Sequence, residues 1–187
     1  MAGRLPYAWG TTEADLARAY PADAVLEGQV VAMTRAVAVA APVDLAWRWL
    51  CQIAVAPYSY DWLDNRGRRS PRRLTPGADR LEVGQLMMIF ELLSFEPQRH
   101  WTGVTTPSAS RLFGQVAVTY AVEPEREVSR LVCRLVTPVR GPLSRARVHL
   151  LAWGDLVMMH KELLTLKALA ERDARDLTEP DARPPAS

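Results

Sequence analysis

The chain has 187 residues, of which 49% are hydrophobic and 24% charged, and its formal net charge is +2. This length suits one domain with a substantial core, and the composition is ordinary for a globular protein. The near balance of charge argues against a nucleic-acid-binding protein, and no stretch approaches the ~20 apolar residues that a membrane span needs.

Residues 1–27 are predicted to be an N-terminal extension, 28–173 a single domain, and 174–187 a disordered, proline-rich tail. The extension lacks the basic start and apolar run of a secretory signal, which predicts a cytoplasmic protein. Cys51 and Cys133 are isolated and lack metal-ligand spacing. Two buried thiols are therefore expected, with no metal and no cofactor. The alternative is a disulfide between them, but no sequence feature indicates one.

A strand is predicted over 30–39, because apolar residues alternate on one of its faces. Arg35 falls on that same face, which is an odd place for a cation. Pro42 stands near the start of the next segment and predicts a helix over 43–53. A second short helix is predicted between residues 57 and 67.

The middle of the chain has the alternation and turn signals of β-structure. The predicted strands cover 86–96, 99–105, 113–123 and 129–137. Because short turns join them, these strands are expected to be antiparallel neighbours.

The last long segment, 148–172, is predicted to form one amphipathic helix. Asp155 and Glu162 lie only about 40° and 60° from the centre of its apolar face. A carboxylate that leaves water needs a partner or a shifted pKa, so these two residues either pair with a cation or line a cavity. About 10 Å of helix rise separates them, which excludes a tight carboxylate dyad.

The element order is one strand, two short helices, a run of antiparallel strands and a long helix. This order predicts an α+β fold in which a curved antiparallel sheet wraps around the C-terminal helix. The space between sheet and helix is the natural place for a ligand cavity.

Four segments resemble the START-related superfamily, also called SRPBCC or polyketide cyclase/dehydrase-like. They are TRAVAVAAPVDLAWRWLCQI (34–53), LEVGQLMMIFELLSFEPQRHWTG (81–103), TYAVEP (119–124) and RLVCRLV (130–136). The likeness covers about residues 30–172 and is nearest to a bacterial subgroup without an assigned function. It implies the helix-grip fold. Members of the superfamily include lipid carriers, polyketide cyclases and co-chaperones, so the fold does not select a function.

Three functions stay open at this point. The first is binding of a hydrophobic, lipid- or polyketide-like small molecule between the sheet and the C-terminal helix. The second is a cyclase or aromatase that uses Asp155 or Glu162 as general acid or base. The third is a co-chaperone-like interaction module that uses the outside of the sheet.

The residues expected to line the cavity combine aromatic or apolar side chains with a few polar anchors. They are Arg35, Tyr58, Tyr60, Trp62, Met88, Phe90, Trp101, Tyr120, Asp155, Met159 and Glu162. The structural alternative for the polar members is that Arg35 pairs with one of the helix carboxylates and simply orients the helix. The alternative for the aromatic members is ordinary core packing.

An arginine-rich loop follows the predicted second helix. Its residues Arg68, Arg69, Arg72 and Arg73 either form a solvated loop or dock an anion. The anion could be a phosphate head group, or the phosphopantetheine arm or acidic helix of an acyl carrier protein. The oligomeric state has no signature in the sequence.

Overall fold

The computed structural model describes residues 5–60, 67–125 and 128–178. Its strands are β1 (Ala8–Trp9), β2 (Val30–Val39), β3 (Leu86–Met87), β4 (Phe90–Glu96), β5 (His100–Thr105), β6 (Ala117–Glu125) and β7 (Val128–Pro138). Its α-helices are α1 (Glu13–Ala17), α2 (Val43–Cys51), α3 (Pro107–Phe113) and α4 (Gly141–Thr178). Short 3₁₀ turns follow α1 and α2, at Pro21–Ala24 and Gln52–Ala54.

The strands form one sheet in the order β1-β2-β7-β6-β5-β4-β3. Every neighbouring pair is antiparallel except β1 and β2, which run parallel. The long helix α4 packs across one face, and α2 packs beside it. The predicted α+β helix-grip architecture is therefore confirmed. Among the described residues, no helix is both long and apolar enough to cross a lipid bilayer.

The opposite face of the sheet is covered by the N-terminal extension. Tyr20 and Ala22 are buried against β2, β6 and β7. The Ala22 amide donates to Thr119 Oγ1 at 2.9 Å, and the single N–H of Arg130 Nε is shared between the two Asp15 carboxylate oxygens, each at 3.0 Å. The segment that the sequence separated from the domain thus packs on it as its second covering layer.

Several boundaries differ from the sequence-based expectations. The strand expected over 86–96 is interrupted between β3 and β4, where Met88 adopts φ 57°. Helix α3 stands where only a turn was expected. Thr106 caps it by accepting from the Ala109 amide at 3.3 Å, with Pro107 in its first turn.

Helix α4 also begins earlier and ends later than the expected range of 148–172. Residues 174–178, assigned from the sequence to a disordered tail, are its last turn. The remaining tail lies outside the described residues, as does most of the short helix expected between 57 and 67, including Trp62.

Candidate functional site

A row of four buried side chains crosses the sheet beneath α4, and we call it the interior row. The strand register aligns Arg35 with Cys133, Cys133 with Tyr120, and Tyr120 with Trp101. All four are almost completely buried. The helix places Asp155, Met159 and Glu162 above this row, so the acidic side chains do face the sheet, as the helical pattern predicts.

Arg35 pairs with the first of the two helix carboxylates. Its Nη2 lies 3.0 Å from Asp155 Oδ2, and its two Nη atoms also donate to the carbonyls of Thr34 and Ala152, at 3.2 and 3.4 Å. The guanidinium is fully buried, whereas the Asp155 side chain keeps 20% of its exposure. A cation on the apolar face of a strand is thus explained by an ion pair that joins the sheet to the helix.

Tyr120 connects the row to the second carboxylate. Its hydroxyl donates to Glu162 Oε1 at 2.7 Å and lies 3.3 Å from Met159 Sδ. Its ring stacks on Trp101 with the centroids 4.5 Å apart. The aromatic residues of the two central strands therefore form part of a packed core that contains one carboxylate.

Burial raises the pKa of three side chains in this interior. It raises the pKa of Asp155 from 3.8 to about 6, although the neighbouring Arg35 works in the opposite direction. Burial also raises the pKa of Tyr120 and of Cys133 well above their usual ranges. At neutral pH Asp155 is ionised, while the phenol and the thiol keep their protons.

We expect stability to depend on Asp155 between pH 4 and pH 7. Because the folded protein binds this proton more tightly than the unfolded chain, the contribution is complete below about pH 4 and is lost as pH rises through about 6. The free energy of unfolding of the wild type, relative to that of Asp155→Asn, should therefore fall by about 2–3 kcal/mol across this range. Urea unfolding at a series of pH values measures it, and a constant difference would contradict the expectation.

A groove in the described part of the chain lies beside α4. Its volume is about 680 Å³, and it separates the flank of the helix from the segment that follows α2. We call it the helix groove. Its described lining residues are Tyr58, Ser59, Tyr60, Arg69, Ser70, Pro71, Arg72, His160, Lys161, Leu164, Thr165, Ala168 and Leu169.

Both walls of the helix groove are fixed by hydrogen bonds. The Tyr58 amide donates to Ser70 Oγ at 3.2 Å, which holds the two ends of the loop wall together. Arg172 Nη2 donates to the Arg72 carbonyl at 2.7 Å, which ties this wall to the helix. Two arginines and one lysine line the groove, and none of its described lining residues is acidic.

The residues expected to line one cavity are thus divided between two places. The helix groove receives Tyr58 and Tyr60, together with Arg69 and Arg72 from the arginine-rich loop. The packed interior receives Arg35, Phe90, Trp101, Tyr120, Asp155, Met159 and Glu162, with the partly buried Met88 against it. Arg68 and Arg73 are exposed and do not line the groove.

Sequence reasoning missed the helix side of the groove. Lys161, Leu164, Thr165 and Ala168 belong to the face of α4 that points away from the sheet. His160 lies at the side of the helix, with its ring 4.5 Å from that of Trp9 in β1. Leu164 was the available signal for this side of the groove. The solvated face of an amphipathic helix is normally polar, so a leucine among polar neighbours indicates a contact there.

No family model and no curated protein matches this sequence. Solved structures do resemble it at low identity. Protein MLL2253 from Mesorhizobium loti is 15% identical with a TM-score of 0.48, and the match covers 77% of this chain and 98% of that one. The di-domain ARO/CYC protein StfQ from the steffimycin biosynthetic pathway is 19% identical with a TM-score of 0.47, over 78% of this chain and 52% of that one.

CalU16 from Micromonospora echinospora is 18% identical with a TM-score of 0.38, over 82% of this chain and 91% of that one. At such identities the likeness concerns the fold alone. The fold of this chain rests on its own topology, in which one curved, mostly antiparallel sheet packs against the long terminal helix. By its element order and sheet topology, the chain is therefore a helix-grip protein.

Proposed function

We propose that this protein binds a small molecule that has an apolar body and an anionic group, and that it does so in the helix groove. The groove itself is the observation that carries the proposal. Its volume of about 680 Å³ lies in the range of ~300–1,000 Å³ that is typical of ligand pockets. Lipid-like acids and polyketide-like acids belong to this class of ligand.

The lining supplies both parts of such a site. Leu164, Ala168 and Leu169 offer apolar surface, and the rings of Tyr58 and Tyr60 can pack against a flat ligand. Arg69, Arg72 and Lys161 bring positive charge to the groove, and none of the lining residues that the structure describes is a carboxylate, which favours an anion. The planar arginine fork suits a carboxylate or phosphate especially well.

The positions of the two helix carboxylates favour a binding site over a cyclase site. The Asp155 carboxylate lies 3.0 Å from Arg35, and Glu162 accepts from the Tyr120 hydroxyl. Neither carboxylate lines the helix groove. A general acid or base must reach its substrate, so the geometry favours binding over proton transfer.

A free acid and an acyl chain on the phosphopantetheine arm of a carrier protein share the same ligand chemistry. Both present a negative charge to Arg69 and Arg72, which are the two arginines of the loop that line the groove. The two sources can be separated by titrating the free acid and the carrier-bound form against the same variants.

Anilinonaphthalenesulfonate is a suitable probe, because it joins an apolar aromatic body to one sulfonate. We expect it to bind the wild type with a rise in fluorescence, and we expect Arg69→Gln/Arg72→Gln to weaken binding by about tenfold or more. The uncharged N-phenylnaphthylamine should lose less affinity on this substitution. Ala168→Trp, which fills the groove, should abolish binding of both probes.

The matched control is Arg68→Gln/Arg73→Gln, which removes the same charge from the same loop outside the groove. Leu150→Glu serves as a second control, because it removes exposed apolar surface elsewhere on α4. Affinity that falls equally in the loop variant and its control would contradict the proposal. So would a probe signal that Ala168→Trp leaves intact.

A further inference from the structure

Helix α4 is apolar on two sides. One side packs on the sheet, and the other carries a line of exposed apolar residues about 140° away around the helix axis. These residues, which we call the outer stripe, are Leu143, Ala146, Leu150, Trp153, Val157 and Leu164. The exposed fractions of the larger ones run from 37% at Leu164 to 85% at Leu143.

The spacing of the outer stripe is that of a heptad repeat. Leu143, Leu150, Val157 and Leu164 follow one another at intervals of seven residues. Ala146 and Trp153 stand three residues after the first two of these. The stripe spans only about 80° of the helix circumference, which is typical of the narrow seam that receives a second helix.

The centre of the outer stripe is held in place. Trp153 Nε1 donates to His149 Nε2 at 3.3 Å, and His149 Nδ1 lies 3.0 Å from the Tyr7 hydroxyl. A tryptophan fixed in this way loses little entropy when a partner covers it. Leu112 and Phe113, at the end of α3, are also exposed, and the Leu112 carbonyl accepts from Arg147 of α4 at 3.2 Å.

The charges around the outer stripe have one sign. Arg147 and Lys161 are exposed on α4, and they lie at one edge of the stripe or within about 40° of it around the helix axis. Between residues 139 and 161 the sequence has a single acidic residue, Asp155, and that side chain is paired with Arg35. A second copy of this chain would bring cations against cations, which disfavours self-association.

We propose that the outer stripe docks an acidic amphipathic helix of a partner protein. The leucines of the partner helix would pack into the seam, and its glutamates or aspartates would face Arg147 and Lys161 along one edge of the stripe. A lipid surface would favour a broader apolar face than this narrow one. Leu164 and Lys161 also line the helix groove, so a helix that covered the whole stripe would reach the edge of the groove, but the proposal does not require a ligand there.

A synthetic acidic peptide tests this proposal directly. The probe is a fluorescent peptide of four heptads with leucine at the two seam positions and glutamate beside them, whose mutual repulsion keeps it from pairing with itself. We expect it to bind at least about tenfold more tightly than a matched peptide with lysine in place of glutamate. Fluorescence anisotropy measures both affinities. Added salt should weaken the acidic complex.

Leu150→Glu/Val157→Glu should weaken binding of the acidic peptide by at least about tenfold. Val83→Glu is the matched control, because Val83 is 67% exposed and lies outside α4. It should leave the affinity unchanged. Circular dichroism confirms that each variant is folded.

Three results would overturn the proposal. The first is equal binding of the acidic and lysine peptides, or no binding of either. The second is a dimer in sedimentation experiments that Leu150→Glu/Val157→Glu dissociates, which would assign the stripe to a second copy. The third is binding to phosphatidylserine vesicles that the same variant loses, which would assign it to lipid.

Discussion

Asp155→Ala is expected to lower the free energy of unfolding by about 3–5 kcal/mol, because it leaves the fully buried Arg35 guanidinium without a carboxylate. Arginine cannot escape by losing its proton. Asp155→Asn should cost much less, since an amide oxygen can still accept from Arg35. The raised pKa of Asp155 indicates that folding disfavours its ionised form relative to its protonated form, so removal of the negative charge alone should cost little. Urea unfolding at pH 7 measures these losses.

Two further variants separate the ion pair from general packing. Arg35→Met/Asp155→Leu removes both charges and should recover most of the stability lost in Asp155→Ala. Glu96→Gln breaks the exposed pair between Glu96 and Arg99 and should change stability by less than about 1 kcal/mol. A loss in Asp155→Ala no larger than in Glu96→Gln would show that the interior does not depend on this pair.

Deletion of residues 1–27 is expected to cost at least about 4 kcal/mol and to leave a marginally folded chain. The extension buries Tyr20 and Ala22 on the sheet, and without it the apolar outer surface of β6 and β7 would face water. Arg130 would also lose its carboxylate partner, Asp15. Thermal and urea unfolding of the shortened chain measure the effect.

A surface variant of the same segment provides the control. Arg18→Gln removes an ion pair with Glu123 in which the arginine side chain is half-exposed, and it should cost less than about 1 kcal/mol. If the shortened chain unfolds at the same urea concentration as the full chain, the extension does not stabilise the domain and the expectation is wrong.

Local patterns were sufficient for the elements that obey a single period. The alternation over 30–39 coincides with β2, and 129–137 falls within β7. Helix α3 was missed because proline, serine and threonine mark both turns and helix starts. The sequence did not reveal how residues 1–27 pack. A five-residue helix and a two-residue strand have little stability of their own, so their positions depend on contacts with the rest of the sheet.

The site was predictable in its polar pairs but not in its open space. Arg35 on an apolar strand face and Asp155 on an apolar helix face each needed a partner, and they are each other's partner. Whether the gap beneath a helix is filled depends on side-chain volumes from five strands, which periodicity does not record. The helix groove joins Tyr60 to Leu164, two residues from distant segments, and no local pattern connects them.

The two outermost strands of the sheet, β1 and β3, have two residues each. A long edge strand has unpaired backbone groups to which another chain can hydrogen-bond, and such pairing is the first step of many aggregation reactions. In addition, side chains of α4 bind backbone groups at the C-terminal end of β2. Lys167 Nζ donates to the Ala38 carbonyl at 2.6 Å, and the Ala40 amide donates to Glu171 Oε1 at 2.9 Å. The helix that grips the sheet therefore also shields its border against misassembly.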